Sequence, residues 1–130
     1  LFKKLKEVIN VARCDQKIAH CLTELGDAEG ALISAQKSLD VFVTAHDHRR
    51  ETYSSFELGK AQIGLGQFEE ALMTLENVLE SVTESEFKDF EFIIDIERKI
   101  ALTLRSLGRD NEAEEIVRRL DAVTEVIDED

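Results

Sequence analysis

Apolar residues recur along this chain at intervals of three and four, the signature of helices that each bury one face. One stripe contains Ile18, Cys21, Leu22 and Leu25, a second Leu72, Leu75, Val78 and Leu79, and a third Ile96, Ile100, Leu104 and Leu107. Three Leu-Gly pairs interrupt the pattern: Leu25-Gly26, Leu65-Gly66 and Leu107-Gly108, with glycines 40 and 42 residues apart. Five residues after each glycine stands an alanine, Ala31, Ala71 or Ala113. A self-similar spacing of this size is the mark of a repeat architecture. The unit reads as helix, tight turn, helix. Helices are expected at about 7–25, 27–45, 48–65, 68–82, 88–107 and 110–127, giving an all-α chain of three repeats at about 7–45, 48–82 and 88–127.

Each feature of the unit has a physical reason. A glycine just past a helix end takes the left-handed conformation that a side chain resists. A small alanine early in the second helix permits a close crossing. Asp27, Glu69 and Asp110 each place an acid at the start of a second helix, where it complements the macrodipole. Shifting the middle unit back by 40 residues sets Leu1–Leu5 opposite Val41–Ala45, the end of a second helix. Residues 1–5 are therefore expected to be the stump of a preceding repeat, with an N-terminal extension of the first helix as the competing reading.

Composition narrows the function classes. The 130 residues hold 28 acids, 16 bases and no proline, for a net charge of −12, and 43% of them are hydrophobic. That is enough apolar material for a core, and the missing prolines fit long unbroken helices. A pI near 4.7 argues against direct nucleic-acid binding, which requires clustered Lys and Arg. The longest run without a charged residue, Ala61–Phe68, is too short to span a bilayer, and no membrane role is expected. Cys14 and Cys21 lie two turns apart on one helix, about 10 Å, beyond disulfide reach. They read as reduced thiols packed as small hydrophobes, pointing to a cytoplasmic or nuclear protein.

The segment from Phe56 to Leu72, with Leu58-Gly59, Leu65-Gly66, Phe68 and Ala71, resembles the tetratricopeptide repeat (TPR). The outer units are degenerate: Ala19 and Ala101 stand at the position of Gly59, and Ala28 and Asp110 at that of Phe68. Ordinary repeats of this kind run about 34 residues. The 40- and 42-residue spacings are similar to a longer-repeat branch that includes the LGN/Pins polarity scaffolds, kinesin light chains and tonsoku-like proteins. The resemblance implies a helix-turn-helix α-solenoid wound as a right-handed superhelix, with first helices lining a concave groove.

Matched to the family's groove positions, the lining becomes Arg13, Gln16, Lys17, His20, Thr23 and Glu24 from the first repeat. The second supplies Tyr53, Phe56, Glu57, Lys60, Ile63 and Gly64, and the third Asp95, Arg98, Lys99, Leu102, Arg105 and Ser106. These positions carry six bases and three acids, a net of +3, which leaves −15 for the rest of a chain at −12. Such a groove suits an acidic or carboxylate-bearing extended peptide. Tyr53 and Phe56 are expected as its apolar anchors. Two alternatives stand beside this: the bases pair with neighbouring acids, and Tyr53 packs at a seam between repeats. The carboxylate clamp of chaperone-tail receptors is a poor match, since Gln16, His20, Glu57 and Asp95 depart from it and only Lys99 fits.

Enzyme chemistry finds no foothold. The Gly-rich, GxSxG, HExxH and paired CxxC motifs are all missing, so no catalytic residues, cofactor or metal are expected. In His46-Asp47-His48, Asp47 reads as the N-cap of the next helix rather than as a ligand. Glu84, Glu86, Asp89 and Glu91 lack the rhythm of a calcium loop and read as a solvated connector, its ends docked by Phe87, Phe90 and Phe92. Asp128-Glu129-Asp130 reads as the start of an acidic tail or linker.

The leading expectation is a non-catalytic scaffold that binds a protein or peptide partner in the groove. One alternative uses the acidic remainder to hold a basic partner such as a histone tail. Another is a structural or oligomerising segment of a longer solenoid. There the terminal helices self-associate, the last through Ile116, Val117, Leu120, Val123, Val126 and Ile127.

Overall fold

The computed structural model describes residues 1–86 and 88–128, with side chains as far as Glu125. Among the described residues six helices follow one another: α1 (Phe2–Glu24), α2 (Ala28–Thr44), α3 (His48–Gly64), α4 (Phe68–Glu84), α5 (Phe90–Ser106) and α6 (Asp110–Asp128). Among the described residues there is no strand. Consecutive helices pack as antiparallel neighbours, and α1 also touches α3, as α3 touches α5. The chain is an all-α solenoid of helix-turn-helix units.

The turns form as the spacing predicts. Gly26, Gly66 and Gly108 take φ of 85°, 77° and 79°. Each closes its helix with the same pair of bonds: Gly26 N–H donates to Thr23 C=O at 3.1 Å and Asp27 N–H to Leu22 C=O at 2.8 Å. This is the Schellman geometry that satisfies the last carbonyls of a helix. The α2–α3 turn lacks a glycine, yet His46 takes φ 55° and repeats the pattern through Asp47 N–H to Phe42 C=O at 3.0 Å. At their N-termini α2, α3 and α5 carry side-chain caps, in which Asp27, Asp47 and Asp89 accept from Gly30, Arg50 and Phe92 N–H.

Close crossings explain the small residues. Ala31, Ala71 and Ala113 are fully buried. A Cβ at Gly59 would lie 2.9 Å from Leu75 Cδ2, and one at Gly64 2.7 Å from the Cβ of Ala28. The main core joins α3 through α6: Leu72, Leu75, Val78 and Val82 of α4 meet Phe92, Ile96, Ile100 and Leu104 of α5. Between α2 and α3 the contact includes a buried polar pair. Ser38 and Ser54, both fully buried, share a 2.9 Å hydrogen bond, and Ser38 also donates to Ala35 C=O at 2.9 Å.

Three local expectations change. Helix α1 runs unbroken from Phe2, so residues 2–5 form its first turns as an N-terminal extension rather than a separate stump. Cys14 and Cys21 are free but exposed, not packed inside, because the buried side of α1 is built from Ala12 and Ala19. Of the connector phenylalanines, Phe92 docks into the core, whereas Phe90, the first residue of α5, stays 68% exposed on the wall of an open cleft. Phe87, Glu129 and Asp130 lie outside the described residues, as do the side chains of Val126, Ile127 and Asp128.

Candidate functional site

The first helices α1, α3 and α5 stand side by side in register. His20 and Lys60 are 40 residues apart, and Lys60 Nζ lies 3.2 Å from His20 Nδ1. Gln16 Nε2 donates to Arg50 C=O at 3.4 Å across the same boundary. Between α3 and α5, the Tyr53 ring stacks on Phe92 at 4.5 Å and its hydroxyl donates to Asp89 Oδ2 at 3.3 Å. Tyr53 is thus half-buried at an inter-repeat seam. Residues predicted for the groove therefore do sit on adjoining helices, but their roles divide.

Phe56 turns inward. It is 7% exposed, packed edge-on against Phe92 with centroids 5.1 Å apart, and belongs to the core. A buried ring has no face left to receive a peptide, so Phe56 is not an anchor. Lys60 is engaged as well: its Nζ lies 3.0 Å from Glu57 Oε1 and 4.9 Å from the centre of the Phe56 ring. Its side chain is 9% exposed and that of Glu57 11%. The same His20 Nδ1 lies 3.5 Å from Glu57 Oε1, so His20, Glu57 and Lys60 form one polar cluster. Glu57 Oε2 is buried without a hydrogen-bond partner.

The remaining bases behave differently. Arg13, Lys17, Arg98 and Arg105 are exposed and Lys99 is half-buried. Among the described residues none of the five has an acid within ion-pair distance; the pairs that do form involve other residues. Gln16, Lys17, His20, Cys21, Tyr53 and Glu57 enclose a depression of about 460 Å³ where α1 meets α3. A larger open cleft of about 1210 Å³ lies at the ends of α3, α4 and α5, with Arg49, Lys88, Glu86 and Glu91 on its mixed-charge walls. Periodicity gave no sign of this cleft, because it depends on where α4 stops and α5 begins. Asp89 is tied to the α5 cap and to Tyr53, which removes it from the loose acidic group expected in the connector. Asp47 caps α3 and pairs with Arg50 at 3.0 Å, while His48 faces Glu51, so the three residues from His46 diverge.

Two solved structures share this architecture. The TPR domain of Arabidopsis FLU superposes with a TM-score of 0.81 at 18% identity, covering 94% of this chain and 98% of that one. The fold is of the TPR type. A TPR-like protein from Chlorobium tepidum agrees at a TM-score of 0.79 and 19% identity, over 94% of this chain and 83% of the other. No protein-family profile matches the sequence, and no curated protein does. The TPR-type solenoid is thus visible in backbone geometry where sequence similarity is faint. Among the described residues no helix is long and apolar enough to cross a membrane.

Proposed function

We propose that this TPR-type chain is a non-catalytic interaction scaffold whose concave face, lined by α1, α3 and α5, binds an acidic extended peptide. One observation carries the reading: among the described residues Arg13, Lys17, Arg98, Lys99 and Arg105 have no acidic partner, while the chain as a whole has net charge −12. In so acidic a molecule, five unpaired bases on the first helices of the first and third repeats, of which Lys17 and Lys99 are at matching positions, are available to carboxylates from outside. Ion pairs and charge-assisted hydrogen bonds would supply orientation and much of the on-rate. The lysine of the middle repeat does not contribute, since Glu57 holds it. Gln16, His20 and the exposed edge of Tyr53 supply the polar contacts of the depression between α1 and α3. The 40- and 42-residue repeat spacings support placement in the long-repeat branch, and two unpaired thiols support a reducing compartment, cytoplasmic or nuclear.

The test is an array of fluorescent acidic and basic peptides, read by anisotropy. The double variant Arg98→Glu/Arg105→Glu should lose acidic-peptide binding at least tenfold with its helical CD spectrum unchanged, since both side chains are exposed. Binding that survives the charge reversal removes the groove from consideration. Selective capture of basic peptides, lost on neutralising Glu84, Glu86 and Glu91, would transfer the function to the acidic remainder.

A further inference from the structure

The open cleft of about 1210 Å³ lies between the second and third repeats, where α3 and α5 begin and α4 ends. Helices on both sides build it, so neither end of the chain shapes it. Its apolar lining comes from Tyr53, Val82, Phe90 and Phe92. Val82 and Phe92 are buried, and the Tyr53 ring stacks on Phe92 at 4.5 Å, so these three make a fixed surface. Phe90 differs. It is 68% exposed, an aromatic ring left in water on the wall of a cavity with room for a bound side chain.

The charges around the cleft do not select a charged guest. Arg49 and Lys88 are equalled in number by Glu86 and Glu91. Asp89 is held by the α5 cap and by Tyr53, and Glu51 faces His48. What the cleft offers is apolar surface.

It also opens onto the face that carries the unpaired arginines. Glu91, on its wall, begins an exposed stripe of α5 that runs through Asp95, Arg98, Leu102 and Arg105 in alternating steps of 4 and 3 residues. Such steps keep side chains on one side of a helix. Arg98 stands 8 residues beyond Phe90 and Arg105 stands 15 beyond it. Along a helix those separations are about 12 and 22 Å. An extended chain advances about 3.3 Å per residue, so it covers them in about four and seven residues.

We propose that this cleft is the apolar subsite for the peptide held on the concave face. The partner is an extended segment that seats one aromatic side chain against Phe90, Phe92 and Tyr53 and then follows α5. Its carboxylates, about four and seven residues from the ring, reach Arg98 and Arg105. The proposal rests on the acidic-peptide reading and sharpens it, because acids alone no longer define the partner. Charge steers the segment in, and burial of the ring holds it there.

The chain contains no tryptophan, so the emission of a peptide tryptophan reports only the peptide's own surroundings. The probe is a serine-glycine peptide with one tryptophan and with glutamates about four and seven residues away, made in both chain directions. Its control carries serine in place of tryptophan. Calorimetry on the wild-type chain should give the tryptophan peptide a Kd at least tenfold lower than the control, with a blue shift of its emission on binding. Moving both glutamates next to the tryptophan should erase that advantage. Phe90→Ser should bring the tryptophan peptide to the level of its control and leave the control unchanged, with the helical CD spectrum intact since the ring is exposed. Equal Kd values on the wild-type chain, or an advantage that survives Phe90→Ser, overturn the proposal. An advantage that emerges only in Phe87→Ser would assign the cleft to the chain's own ring and overturn it too. The two readings fail separately: the control peptide with Arg98→Glu/Arg105→Glu judges the acidic face, and the tryptophan advantage with Phe90→Ser judges the cleft.

Discussion

Gly59 tests whether the close approach of α3 and α4 is real. It lies inside α3, buried, and a Cβ built on it would sit 2.9 Å from Leu75 Cδ2, 3.1 Å from Leu75 Cγ and 3.5 Å from Thr74 Cγ2. Replacing glycine by alanine in a helix interior ordinarily gains about 0.5–1 kcal/mol. Here the methyl group meets a leucine that is fully buried and has no room to withdraw. Overpacking of that kind costs about 1–3 kcal/mol. Gly59→Ala should therefore lose between about 0 and 2.5 kcal/mol instead of gaining. Leu75→Ala removes both crowded atoms, at a cost of its own of about 2–5 kcal/mol. In that background Gly59→Ala should change sign and gain about 0.5–1 kcal/mol. The double-mutant cycle, from urea unfolding followed by far-UV CD, should then show a coupling of about 1–3 kcal/mol. Unchanged m-values are needed for the comparison, because repeat proteins can unfold piecemeal. Additivity within about 0.5 kcal/mol would refute the packing argument.

The other predictions concern charge. Lys60→Met should destabilise by about 3 kcal/mol or more, since it leaves the buried Glu57 carboxylate without its cation, while Glu57→Leu/Lys60→Met should come close to wild type; urea midpoints decide. On the surface, the hydrogen bond from Arg109 holds the Glu112 carboxyl below its ordinary value, against the opposing effect of burial. A carboxyl lower in the folded state adds stability above its unfolded value and loses it as pH falls through the folded one. NMR titration should find Glu112 depressed, and Arg109→Gln should bring it back up. An unchanged Glu112 midpoint in that variant would contradict the pairing.

Local chemistry made much of the fold legible. Glycines at positive φ, aspartate caps and small residues at crossings are requirements of neighbouring backbone, and each leaves a residue type at a fixed offset. His46 escaped notice because a left-handed turn is satisfied there without glycine, in a unit boundary that has no Leu-Gly pair. The candidate site was less legible. Phe56 and Arg98 occupy equivalent register positions, 42 residues apart, yet one is buried and the other exposed. The difference comes from Phe92, whose ring draws Phe56 and Tyr53 toward α5.

By itself, then, the sequence determined the number of helices, their turns and the register that aligns α1, α3 and α5, because periodicity and turn residues act over a few positions. Only the tertiary structure decided which charges are already paired, which aromatic rings are core, and that Cys14 and Cys21 are exposed. Those outcomes depend on contacts between residues about 40 apart in the chain, such as Lys60 with His20 and Tyr53 with Phe92. A pattern of residue types says that such partners exist, and packing alone says which of them meet.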